Sequence, residues 1–210
     1  MSWEAGRKML ALWRAMADSG ASPVSLLLGG VSQPSPHRHF PVGDVYDFTS
    51  HAQFYYHVHR DGECGHIHLF QRSRGMPPGV VPLLPSREVN APCHLMAVGL
   101  GPSGDATELF TTNRWVTGEA WYDAHAVKAM LPLFKVAARG DCQPVAAWLE
   151  ALVSFYAPSI ARLAEERDAT VAAWRQSHPG IDPLDDSRLE ITSRLSIDPR
   201  GDVLKGEVEA

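Results

Sequence analysis

Cysteine is scarce in this chain of 210 residues: Cys64, Cys93 and Cys142 are the only three, an odd number without Cys-x-x-Cys spacing. That argues against a disulfide scaffold and predicts a reducing, cytoplasmic setting. Excess charge is also lacking. A net charge of −5 leaves no basic footprint for nucleic acid, so no nucleic-acid partner is expected. Long apolar runs are missing too: Val24 to Leu28 is five residues long and broken by Ser25, far short of a membrane span. No membrane association is therefore expected. The first residues, Met1-Ser2-Trp3-Glu4-Ala5, show no basic segment leading into an apolar core, which predicts no secretory leader. No internal repeat of solenoid length occurs. The chain length suits one well-buried domain over 1–210.

What the chain does have is histidine in pairs. His57-Val58-His59 and His66-Ile67-His68 are separated by Arg60-Asp61-Gly62-Glu63-Cys64-Gly65, and both flanks alternate as strands do. Strand side chains repeat every two residues, so each pair shares a face. A turn that sets His59 opposite His66 and His57 opposite His68 would crowd four imidazoles on one patch. A slip of one residue would send one pair to the other face. Protonated rings at that spacing repel, whereas a divalent metal takes neutral imidazole nitrogens, and iron, copper and zinc all accept them. His57, His59, His66 and His68 are accordingly the candidate metal ligands. A solvent-facing polar hairpin is the plain alternative.

A third pair, His37-Arg38-His39, lies between Pro36 and Pro41 in a loop or extended segment, and His37 and His39 are secondary ligand candidates. Asp44 and Asp47 could ligate or orient an imidazole, although aspartate beside glycine more often makes a turn. His51 reads as a polar lead-in to the strand. His94, within the apolar run Cys93–Leu100, reads as a core histidine. Tyr55, Glu119 and Arg114 are the candidate catalytic side chains. Tyr55 shares the histidine face, Glu119 could complete a histidine/carboxylate set, and Arg114 could orient an anionic substrate. Trp115 or Trp121 could wall a pocket, and Cys64 could be an occasional ligand.

The rest predicts an α+β fold: a mostly antiparallel sheet carrying the histidine hairpin, packed against N- and C-terminal helices. Trp3 to Asp18 forms an amphipathic helix stopped by Ser19-Gly20, within an N-terminal helical region 1–20. Residues 40–120 form the sheet region, after a Pro/Ser/Gly-rich connection from Ala21 to Pro36. A proline-rich strap runs from Arg74 through Pro85. Gly99-Leu100-Gly101-Pro102-Ser103-Gly104 matches a dinucleotide fingerprint literally, but the following Leu109 to Thr117 favours a strand, so it reads as a hairpin turn. Residues 123–180 read as helical: Asp123 is an N-cap, Pro132 bends or splits the helix, Pro144 starts another and Pro158 a third. A strand over 186–198 and a tail over 199–210, with Arg200-Gly201-Asp202 as a turn, complete the chain.

His39-Phe40-Pro41-Val42-Gly43-Asp44-Val45-Tyr46-Asp47, Tyr55-Tyr56-His57-Val58-His59-Arg60, Gly65-His66-Ile67-His68-Leu69-Phe70 and Leu109-Phe110-Thr111-Thr112-Asn113-Arg114-Trp115-Val116-Thr117-Gly118-Glu119 together resemble a bacterial family defined only as a domain of unknown function. The resemblance covers residues 5 to 198 and implies a small soluble bacterial protein, without a reaction, cofactor or site. From the residues, the expected function is a non-haem metal-dependent enzyme, an oxidoreductase with iron or copper or a hydrolase with zinc, acting on a small organic substrate. The alternatives are a non-catalytic metal sensor or carrier, a small-ligand-binding module, and a metal-free enzyme using a histidine as general base.

Overall fold

Six strands make one antiparallel sheet in chain order: β1 (Phe40–Tyr46), β2 (Ala52–His57), β3 (His66–Arg72), β4 (Pro92–Leu100), β5 (Ala106–Thr112) and β6 (Ile191–Ser196). The first five form a meander, and all the chain between β5 and β6 is mainly helical. The computed structural model describes residues 2–208, so the last two residues of the expected tail lie outside the described residues. With helices at both ends of the chain, the α+β expectation holds.

The sheet has two different faces. Phe54, Tyr56, Ile67 and Leu69 point into one apolar core shared with Val145, Leu149, Leu152 and Phe155 of α5 (Cys142–Ser177). Against it lies α1 (Trp3–Asp18), the helix expected from its periodicity, with Met9 and Met16 buried and Ser2 capping its start. Gly6 lets α1 approach closely, since a Cβ there would stand 2.8 Å from Phe155 and Val203. On the other face, Tyr55, Phe70 and Phe110 are buried against imidazole rings instead. This second layer carries the histidines.

Several expectations of the helical half hold. Asp123 caps α4 (Ala124–Met130) by accepting from the Ala126 N–H at 2.8 Å, and the chain tightens into a single 3-10 turn over Leu131–Leu133 at Pro132. The glycine-rich stretch is a β4–β5 turn, closed by Gly101 N–H to the Asp105 carbonyl at 2.8 Å.

Others need correction. Pro144 lies in the first turn of a helix, as expected, but Pro158 does not open a further one. α5 runs unbroken for 36 residues with the exposed Pro158 inside it, because Phe155, Tyr156, Ile160 and Leu163 around the proline are buried in the core. By length and composition this helix could cross a membrane, but just over half of its most apolar stretch is buried inside the fold (56%). The expected tail is helix α6 (Pro199–Val208): Pro199 fits a first helical turn, Val203 is buried, and Asp202 accepts from the Tyr156 hydroxyl at 2.8 Å. The connection after α1 contains α2 (Pro23–Leu28), closed by a Ser22/Ser25 capping box. The strand expected over Leu109 to Thr117 ends at Thr112, where Asn113 caps the short helix α3 (Arg114–Thr117).

Candidate metal centre

The hairpin register differs from the expected one by two residues. His57, not His59, pairs with His66, and Tyr55 faces His68. β2 stops at His57 because the next carbonyl, that of Val58, is taken by the His37 N–H at 2.8 Å. His59 then enters the connecting loop, its N–H held by Glu63 Oε1 at 3.1 Å. Gly65 returns the chain at φ 67°, and a Cβ there would stand 2.5 Å from the His57 carbonyl oxygen. A two-residue displacement keeps parity, so His57, His66 and His68 still share one face.

Their three Nε2 atoms converge. His57 and His66 are 2.7 Å apart, His66 and His68 3.0 Å, and His68 and His57 3.2 Å. Three neutral imidazoles cannot settle such a triangle by hydrogen bonding, because each Nε2 carries either one hydrogen or one lone pair. A cation held by His57, His66 and His68 would accept all three lone pairs. The donor chemistry and spacing fit a metal ion, and the three form a group that could hold one.

Burial keeps the rings neutral. Removal from water lowers the affinity of His57 for a proton to a pKa of about 4 and that of His66 to about 2, with neighbouring histidines adding repulsion. His68, without exposed surface, is held well below the usual histidine range for the same reasons. Lone pairs are thus available at neutral pH.

His94, expected to be a core histidine, belongs to this assembly. A bulge between Leu69 and Phe70 turns it towards β3, where its Nε2 lies 2.9 Å from His68 Nδ1. Its Nδ1 lies 3.3 Å from Thr112 Oγ1, and the Met96 backbone also hydrogen-bonds the ring. In the tautomer in which His94 Nε2 accepts from His68 Nδ1–H, His68 Nε2 keeps a lone pair aimed at the triangle. Desolvation lowers the His94 pKa to about 3. The only sign of this in the sequence was a histidine interrupting an apolar strand, and the bulge that aims it was invisible there.

The other candidates separate by position. His59 stands beside the triad, its ring 4.8 Å from His57 and 5.1 Å from His66, nearly parallel to the latter. His37 lies 5.5 Å beyond His59. His39 stacks on Tyr55 at 3.6 Å, and its Nδ1 meets Asp44 Oδ1 at 3.0 Å, so Asp44 orients an imidazole. Asp47 makes a turn, accepting from Thr49 N–H and Ser50 Oγ. His51 bonds the Tyr46 hydroxyl. Tyr55 touches His57 and His68 with its ring, and burial first, then Asp44 and Glu119, raise its pKa so that the phenol stays protonated.

Glu119 acts at one remove. Fully buried, it accepts from the His94 backbone N–H and from Thr117 Oγ1, and desolvation raises its pKa to about 7. Arg114 is directed elsewhere, to Asp185 at 2.7 Å. Neither tryptophan walls the site: Trp115 donates to the Leu189 carbonyl and Trp121 lies in a separate cluster beneath Arg167. Cys64 contributes its carbonyl, as acceptor for the Tyr56 hydroxyl at 3.1 Å. A cavity of about 280 Å³ adjoins His66, with Phe110, Leu100, Ile191 and Thr112 in its lining and Glu63, Glu108 and Glu190 around it.

No curated protein and no solved structure matches this chain. A family match, by contrast, spans residues 3–197, from the start of α1 past the end of β6 and so across every histidine of the centre. The protein belongs to the family described as Domain of unknown function (DUF6969).

Proposed function

We propose that this protein is a metal-dependent enzyme whose centre is a facial set of three histidines, His57, His66 and His68. The observation that carries the reading is the convergence of three Nε2 atoms within 2.7–3.2 Å at a buried point. Carriers and structural sites favour closed ligand sets; a set of three protein ligands would leave a position for substrate or water. A divalent ion there supplies Lewis acidity, and iron or copper adds one-electron redox chemistry.

The protein's own residues supply the rest. His94 fixes the orientation of His68, and Tyr55 and Phe110 exclude bulk water from the rings. The cavity beside His66 matches a small organic substrate, with Phe110, Leu100 and Ile191 for an apolar portion. His59, at the edge of the triad, is placed to take up or return a proton.

The test is elemental analysis of untagged protein purified without chelator, beside a His57→Ala/His66→Ala/His68→Ala variant. Near-stoichiometric iron, copper or zinc that vanishes in a variant with unchanged circular dichroism is the expected result. If neither sample holds metal, even after anaerobic reconstitution with each of the three, the metalloenzyme reading falls.

A further inference from the structure

We propose that His37 and His59 form a transit site that passes a first-row transition-metal ion from solvent to the triad, an inference that rests on the triad binding metal. The three ligands are 8%, 9% and 0% exposed, so an ion with its water shell cannot meet all three at once. Most approaches are blocked. His39, stacked on Tyr55, covers the side of His57, and Tyr55 also lies against His68. Phe110 stands edge-on to His66 at 5.2 Å, and His94 underlies His68.

Apart from the cavity that adjoins His66, the side left open is a file of imidazoles graded in exposure. His37 is exposed and 5.5 Å from His59; His59 is half-buried and within 5.1 Å of both His57 and His66. Both are tethered through the main chain, His37 to the Val58 carbonyl and His59 to Glu63, which leaves their rings free of those bonds. His39 differs, because Asp44 already engages its Nδ1. The Glu63 carboxylate beside His59 adds attraction for a cation.

Passage along the file is ligand exchange. At each handover the next imidazole lone pair displaces a bound water, the bond to the previous imidazole then breaks with water or a further imidazole taking its place, and the oxidation state is unchanged. The spacing between neighbouring rings, 4.8–5.5 Å outside the triad against 4.5–5.0 Å within it, allows a handover by side-chain rotation.

The experiment is stopped-flow uptake of Co²⁺ by the full-length metal-free protein, followed by its visible absorbance, with chelator competition for the final affinity. The variant is His37→Asn/His59→Ala, asparagine being chosen because residue 37 has φ 61°. His125→Ala, an exposed histidine on α4, is the control. The double variant should load about tenfold or more slowly at nearly unchanged affinity, release slowing in parallel, while the control matches wild type. Unchanged uptake in a folded double variant overturns the transit site. A matching fall in affinity with faster release overturns it too, and makes His59 a ligand of the finished centre. If wild type itself takes up no Co²⁺, the triad reading fails with it.

Discussion

At the scale of single residues, the centre depends on one hydrogen bond more than its size suggests. His68 has two ring nitrogens, and its Nδ1 contact to His94 is the one that can orient the ring so that Nε2 offers a lone pair to the triangle. Losing such an orienting partner typically costs about 10–100-fold in metal affinity. His94→Gln is therefore expected to fall in that range by chelator competition while keeping its fold, and Thr112→Val to fall less, because Thr112 Oγ1 sits one bond further out at 3.3 Å. Glu119 gives a second prediction of opposite pH sense. Its pKa rises to about 7 in the folded chain because burial disfavours the carboxylate, so the folded protein binds its proton more tightly than the unfolded chain does. That contribution is complete below about pH 4.5 and disappears as pH rises through about 7. Glu119→Gln, which keeps an acceptor for the His94 N–H, removes the dependence. Denaturant midpoints should show the variant gaining on wild type as pH rises from 5 to 8; a constant difference would mean the carboxyl is not held protonated.

At the scale of elements, α5 shows how tertiary packing overrides a local signal. A proline inside a helix removes one backbone hydrogen bond and costs about 3 kcal/mol. Here the flanking Phe155, Tyr156, Ile160 and Leu163 are buried, and their burial outweighs that cost, so the helix continues. Pro158 is itself exposed. Pro158→Ala should therefore raise the urea midpoint by an amount worth about 1–3 kcal/mol and leave metal binding unchanged. The same contrast between local and distant information decides what the sequence disclosed. Amphipathic periodicity placed α1 to the residue, Asp123 and Pro132 marked the limits of α4, and the alternation of His57, His66 and His68 identified the face of the ligands. Register was not legible, because a contact from His37 to Val58, distant in sequence, decides where β2 stops. Nor was α6, whose short polar sequence forms a helix through Val203 and Asp202 meeting the rest of the fold.

At the scale of the whole molecule, the proposed metal centre would make folding and metal occupancy respond to acid together. Four histidines are buried neutral: His57 at about 4, His66 at about 2, His94 at about 3, and His68 well below its ordinary value. In the unfolded chain each titrates near 6.5. Below that pH the unfolded state binds protons that the folded state refuses, so the stability of the metal-free protein falls as pH drops from about 6.5 towards 4. Glu119 pulls the other way over much of that interval, but it is one group against four, and the histidines decide the sign. Metal bound at the triad would widen the stable range, because a ligand at 1,000 times its Kd adds about 4 kcal/mol to the folded state and protons must displace it first. Thermal melts with and without saturating Zn²⁺, from pH 7.5 to 4.5, should show the metal-free midpoint falling first and the gap between the two curves closing as protons outcompete the ion. In the His57→Ala/His66→Ala/His68→Ala variant both features should shrink together: the acid slope because three of the four groups are gone, and the metal gap because its ligands are. A variant that loses the gap but keeps the full slope would place the acid sensitivity outside the histidine centre.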